Sequence, residues 1–384
     1  MHRWPTLLFS LLGASSLAWG AATAVPPGPD AQVVEVLPQV TTPRPALRAT
    51  SPDTAPLPEP AQAAQRARAA ITTARHTGDA RYWGRAQTAL GHWWDHPQAA
   101  PELMVLQATV QQGQHRFAPA QARLRQALKA DPHNAQAWLT LATLLKLDGR
   151  YPEALAACDS VARSGAGLYA QACAIELRSL QGSELADAWR SLAAQAQDPD
   201  TASWLHSLWG EHLERRGQDA EALLRYRQSL AERGDLYTAL VLADLQLRRR
   251  RPADALAALR ASPDTDAVLL RRAHAQRLLK RPEWKPLLGE LLGRQQALQR
   301  RGETLDAHAR EVGLTALWLQ DDPALAWRWA QRNLALQQEP IDWWLALTSA
   351  RQAGERAAFD RLVKRVRALA LSDARLPLEW SHAS

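Results

Sequence analysis

The sequence predicts an all-α fold, a solenoid of about nine helix-turn-helix hairpins. Alanines recur at Ala86, Ala120, Ala154, Ala188 and Ala222, each 34 residues after the last, with Ala255 following at 33. Their neighbours recur with them, which separates a true period from chance in an alanine-rich chain. Ala, Leu, Arg and Gln, all strong helix formers, dominate from Ala61 onward, and the prolines there fall at turns.

The chain begins with a stretch that reads as a cleavable secretory signal. Met1-His2-Arg3 supplies the positive start, Thr6 to Leu17 the apolar run, and Ala18-Trp19-Gly20 and Ala22-Thr23-Ala24 the small residues of a cleavage region. The apolar run is too short to span a bilayer, and no later stretch is long and apolar enough to do so. Residues 1-24 are therefore expected to direct export, to the periplasm or outside the cell, and the mature chain to be soluble. Without Arg3 the formal charge falls from +7 to +6. That excess is modest and does not call for nucleic acid.

Residues 25-60 change character to Pro, Thr, Ala and Val, with ten prolines and no helical periodicity, as in a linker or extended arm. Residues 61-260 hold the regular repeats. Three residues before the alanines stand Trp83, Phe117 and Tyr151; four after stand Leu90, Leu124, Cys158, Leu192, Tyr226 and Leu259. Twelve before stand Ala74, Ala108, Ala142, Gly210 and Ala243, with one departure at Glu176. Small residues facing each other let two helices of a hairpin approach closely, and the large residue one turn on fills the space beside them. Asp148-Gly149-Arg150 and Arg216-Gly217-Gln218 break the helices between. Residues 261-384 keep the pattern loosely: Gly289 falls at the next expected place, and Gly313 with Ala326 restores the step of Leu141 to Ala154.

These units resemble the tetratricopeptide repeat family. Trp138-x2-Leu141-Ala142-x2-Leu145 followed by Gly149-x-Tyr151-x2-Ala154-x3-Cys158 carries almost the whole family pattern. Arg75-x2-Gly78-Asp79-x-Arg81-Tyr82, Trp93-Trp94 and Asn333 to Pro340 are similar to a set of exported bacterial proteins of this kind. The resemblance implies a right-handed superhelix in which each unit buries its apolar face against its neighbours, so that no single cooperative core is expected. It also implies an inner groove lined by the first helices. Carried over here, that groove comprises Gln136, Leu139, Thr143 and Lys146, then Trp204, Ser207 and Glu211, then Tyr237, Leu240, Asp244 and Arg248.

Cys158 and Cys173 are the only cysteines. Export would place them in an oxidising compartment, and the midpoint of the pair falls in the turn Ser164-Gly165-Ala166-Gly167, at one height across an antiparallel hairpin. A structural disulfide worth about 3 kcal/mol is the favoured reading. The register of Cys173 matches that of Leu139, which the family pattern aims toward the groove, so two buried unpaired cysteines remain the alternative.

No Gly-x-Ser-x-Gly, phosphate-binding Gly-rich loop or His-Glu-x-x-His occurs, and no cofactor is expected. His92 and His96 are one helical turn apart but sit before Pro97, where exposed polar ends are the ordinary reading, so no metal site is assigned. Sixteen tryptophans are many. Trp83, Trp138 and Trp209 fall at packing places, whereas Trp327, Trp329, Trp343 and Trp344 either cap the array or form a sticky surface, and packing is favoured. Arg248 to Arg301 holds fourteen basic residues against five acids. Arg249, Arg250, Arg251, Arg271, Arg272 and Arg277 lie in this basic sector, which could attract an anionic ligand or be solvated surface.

These features together favour an exported, non-enzymatic scaffold that binds a protein or peptide partner in its concave groove. The alternative is a cell-envelope module that contacts an anionic polysaccharide or serves as accessory subunit of an envelope complex.

Overall fold

A computed structural model describes residues 59–380; the expected signal and most of the Pro-rich arm lie outside them. Eighteen α-helices among the described residues pair into nine antiparallel hairpins. They are α1 (Pro60–Thr77) with α2 (Arg81–Ala89), α3 (Pro101–Gly113) with α4 (Phe117–Ala130), and α5 (Ala135–Leu147) with α6 (Tyr151–Arg163). Next come α7 (Gly167–Leu180) with α8 (Ala186–Ala193), α9 (Pro199–Arg215) with α10 (Asp219–Glu232), and α11 (Leu236–Arg248) with α12 (Pro252–Ala258). The last three are α13 (Asp266–Leu278) with α14 (Trp284–Arg300), α15 (Ala309–Leu319) with α16 (Pro323–Leu336), and α17 (Pro340–Gln352) with α18 (Arg356–Ala368). First helices pack on first helices from α1 through α9 and from α11 through α17, which makes the inner row of a helical solenoid.

Each hairpin turns on one residue in the left-handed region: Gly78, His115, Gly149, Gly182, Gly217, Arg250, Lys280, Asp321 and Gly354. In seven of the nine the following N–H reaches back to a carbonyl five residues earlier, as in Arg150 to Leu145, Gln218 to Leu213 and Arg251 to Gln246, which satisfies a helix-end carbonyl. Arg250 and Lys280 hold this conformation at exposed sites against the steric preference of an L side chain. Arg250→Gly and Lys280→Gly are each expected to stabilise the protein by about 0.5–1 kcal/mol, read as a higher denaturation midpoint. A lowered midpoint would mean that the side chain contributes more than the turn costs.

The repeating positions are packing positions. Ala86, Ala120, Ala154, Ala222 and Ala255 are wholly buried, as are Leu90, Leu124, Tyr226 and Leu259 beside them. At Gly210 a Cβ would stand 2.5 Å from the Tyr226 ring, so this helix pair closes only because the side chain is missing. Two places depart from the expected register. Ala188 is half-buried, and Trp189 next to it fills the core instead. Gly289 is exposed with open space around it, and Leu291 is the buried residue of α14.

The fourth hairpin explains the cysteines. Its turn glycine, Gly182, follows Gly149 by 33 residues and not 34, so Cys173 takes the register of Thr140 and not of Leu139. One residue is about 100° around a helix, enough to swing the side chain toward the preceding hairpin. The Cys158 and Cys173 sulfurs stand at disulfide distance, with the Cα atoms 5.7 Å apart.

The expectation that units would bury apolar surface only against sequence neighbours is corrected. One core cluster runs from Ala63 to Leu180 and continues through Leu269 to Leu376. The solenoid curves back on itself: the Gly78 turn packs on Thr265 and Leu236, and α1 touches α11. The loop between α16 and α17 and the C-terminal segment then close the ends of the inner helices. Backbone N–H groups of Gln338, Ser372 and Ala374 donate to the carbonyls of Leu147, Leu180 and Arg215, the final residues of α5, α7 and α9, at 2.8, 2.8 and 2.9 Å. Those carbonyls have no partner within their own helices, so the return of the chain satisfies them.

Candidate functional site

Inner helices α5, α9 and α11 begin at capping residues whose side chains accept backbone N–H groups. Asn134 accepts from Ala137, Asp198 from Thr201, and Asp235 from Tyr237 and Thr238. These caps set where each helix starts and therefore which residues face the concave side.

That side encloses a cavity of about 610 Å³. Gln136, Leu139, Thr143 and Lys146 line it from α5, Trp204, Ser207 and Glu211 from α9, and Tyr237 from the start of α11. The other three groove candidates line adjoining spaces, and Leu240 also lines a larger one of about 720 Å³ with Gly78, Thr265 and Arg310. Leu240 and Asp244 line one of about 160 Å³, and Arg248 lines one of about 170 Å³ with Trp318 and Trp344. Sequence reasoning missed Tyr169 and Glu176 of α7, Arg75 at the end of α1, and Glu339 at the start of α17, all of which line the main cavity.

Two rows organise the wall. Tyr169, Trp204 and Tyr237 form an aromatic row, one per inner helix, with the Tyr169 and Trp204 rings 5.6 Å apart. Seven residues further along each helix stand Glu176, Glu211 and Asp244. Seven residues are two helical turns, about 10.5 Å. Glu176, the departure from the small-residue pattern, thus belongs to the groove wall, because the register of α7 is shifted by one residue.

The charges differ in how far they are engaged. Lys146 pairs with Glu176. Burial opposes the charge of the Lys146 ammonium, but Glu176 and Glu339 outweigh it and raise its pKa. Glu339 also loses solvation, yet Arg310, at 2.6 Å, and Lys146 hold its carboxyl below the usual range. Asp244 is held by both ends of the Arg271 guanidinium at 2.8 and 2.7 Å. Glu211 is the least engaged of these acids. It accepts from the Tyr237 hydroxyl at 3.0 Å, and its nearest cation, Arg215, is 3.6 Å away. Burial pushes the Glu211 carboxyl up to about 7, with Glu176 adding to the shift and Arg215 opposing it. Burial and then Glu211 push the Tyr237 phenol well above its ordinary value.

The basic sector is largely turned inward. Arg248 pairs with Glu214 and Asp219, Arg251 with Asp254, and the buried Arg271 with Asp244. Arg272 donates to the Leu259 and Ser262 carbonyls, and Arg277 to the Trp318 carbonyl. Arg249 and Arg250 are exposed with no charged partner among the described residues. The sector's excess charge therefore mostly pins helices together. Of the C-terminal tryptophans, Trp343 is wholly buried, and Trp327, Trp329 and Trp344 are half-buried. His96 stacks edge-on to Trp93 at 5.3 Å and accepts the Gln98 N–H at 3.2 Å.

Residues 105–169, from within α3 to the start of α7, match the tetratricopeptide repeat family. The solved structure of the human IFIT1 dimer with PPP-AAAA is similar at 15% identity, covering 76% of this chain and 69% of that chain, with a TM-score of 0.40. No curated protein matches the chain.

Proposed function

We propose that this tetratricopeptide repeat protein is a non-enzymatic scaffold that holds an extended segment of a protein partner in the cavity on its concave face. The single observation that carries the reading is the cavity wall: one aromatic residue from each of three successive inner helices, Tyr169, Trp204 and Tyr237, faces a space of about 610 Å³, with Glu176 and Glu211 beside the first two. That volume lies within the range of about 300–1,000 Å³ of specific ligand pockets. Aromatic walls with a few placed polar groups suit side chains and main-chain amides of a peptide. Most polar groups of the wall are engaged in holding helices, as where Ser207 accepts from Thr238 at 3.1 Å. Such a wall binds and does not offer an activated nucleophile.

Export is part of the proposal. The cysteine pair at disulfide distance supports it, since such bonds persist in oxidising compartments. No helix among the described residues is long and apolar enough to cross a membrane.

A photo-crosslinking residue at Gln136, inside the cavity, should give a stoichiometric protein adduct in cells. The same residue at Arg227, exposed on α10, should not. Trp204→Ala is expected to abolish the adduct from Gln136. Equal adducts from both sites, or recovery of glycan alone, would refute a concave protein site, and reproducible turnover by the purified chain would refute the non-enzymatic reading.

A further inference from the structure

We infer that the cavity selects a basic side chain of its peptide occupant, a lysine or arginine whose cation reaches Glu211 while its stem lies along the faces of Trp204 and Tyr237. The inference rests on the peptide-binding reading above and adds the chemistry of the occupant.

Charge complementarity is the first reason. The cavity lining carries five carboxylates, Glu176, Asp200, Glu211, Asp235 and Glu339, against the three cations Arg75, Lys146 and Arg233. Two pairs cancel, Lys146 with Glu176 and Arg233 with Asp200, and Arg310 from outside the lining holds Glu339, which leaves Glu211 and Asp235 against Arg75. An acidic occupant would meet this excess negative charge with most of the positive charge spent.

The second reason is the position of Glu211. Every charged group that faces it, Arg215 excepted, has its ion pair elsewhere. From its own helix, Arg215 donates to Ser179 at 3.2 and 2.9 Å and lies beyond hydrogen-bond length from Glu211. From α5 and α7, Lys146 and Glu176 pair with each other; from α17, Glu339 is held by Arg310. From α11, the Tyr237 hydroxyl occupies one oxygen of Glu211. The other oxygen, Oε2, has only the 3.6 Å ion pair with Arg215 and can take an incoming ammonium or guanidinium at hydrogen-bond distance as a charge-assisted acceptor.

The third reason is the aromatic wall. Tyr237 is 49% exposed, which leaves part of its ring open to an occupant. A lysine or arginine buries its methylene stem against such a ring and gains further from the attraction of its cation to the ring face.

Protonation gives the inference a readout. With an empty cavity the Glu211 carboxyl titrates at about 7. A bound cation favours its ionised form, so binding below that pH must expel a proton, whereas at pH 8 none is bound. Affinity for a basic side chain should therefore rise about tenfold from pH 6 to pH 8.

The test uses the full chain and an array of acetylated, amidated heptapeptides, random except for a central Lys, Arg, norleucine or Glu. The expected result at pH 8 is retention of the Lys and Arg sets about tenfold over norleucine, with Glu weakest. The preference should shrink at pH 6 and be lost in Glu211→Gln with helical content unchanged. If that variant does not fold, the pH profile of the unaltered chain still decides. Retention of peptides without a preference for Lys or Arg, or with a preference that ignores pH, overturns the inference and leaves the peptide scaffold standing. Retention of no peptide in any set overturns both.

Discussion

Replacing Glu214 by alanine is expected to destabilise the protein by about 3–5 kcal/mol, because it removes a buried carboxylate shared by two partly buried guanidinium groups and by the buried Tyr226 hydroxyl. Glu214 is only 3% exposed and sits where the returning C-terminal segment meets the inner helices. Arg248 of α11 reaches it at 2.7 Å, Arg375 of the C-terminal segment at 3.1 Å, and the Tyr226 hydroxyl of α10 donates to it at 2.7 Å. Arg248 keeps Asp219 and Arg375 keeps Asp373, so the loss is partial for each, but no other group joins the three elements. Hydrogen exchange should show the effect as lost amide protection at 371–376 and in α10, along with a lowered denaturation midpoint. Unchanged protection of the C-terminal segment would mean that the backbone bonds from Ser372 and Ala374 suffice to hold it.

Asp342→Ala should cost a similar amount, about 3–5 kcal/mol, through a second buried network. The Asp342 carboxylate, with no exposure, receives Arg310 of α15 at 2.7 and 2.9 Å and the Asn333 amide of α16 at 2.6 Å. It also accepts the Glu339 N–H at 2.8 Å, half of a capping box that starts α17. Removing it strands Arg310 on Glu339 alone and loosens the residue that Glu339 contributes to the cavity. The double variant Arg310→Met with Asp342→Leu is expected to recover most of the loss, since apolar groups of similar volume replace the pair. If the double variant is no more stable than Asp342→Ala, the cost lies in the lost cap and not in the stranded charge.

The repeat unit was legible in sequence because its packing is local. A small residue at Ala120 with a large one at Leu124 must face Ala108 across one hairpin, and those contacts span only a dozen or so residues. Gln136, Trp204, Glu211 and Tyr237 came from the family resemblance, which puts the first helix of each unit on the inner row, and all four line the cavity. The cysteine pair was harder to read. Its geometry hangs on a one-residue shift in α7 that a strict 34-residue period conceals.

What the sequence determined by itself is the hairpin: its helices, its left-handed turn residue and the face that each helix buries, all set by side chains within one period of each other. Only the tertiary structure decided that the solenoid returns on itself, joining Leu147 to Gln338 and Glu214 to Arg375. The physical reason is that curvature accumulates from small rotations at each stacked pair. No single repeat shows the sum, and only the sum sets which distant residues meet, among them Glu339 beside Lys146 and the charges that leave Glu211 least engaged.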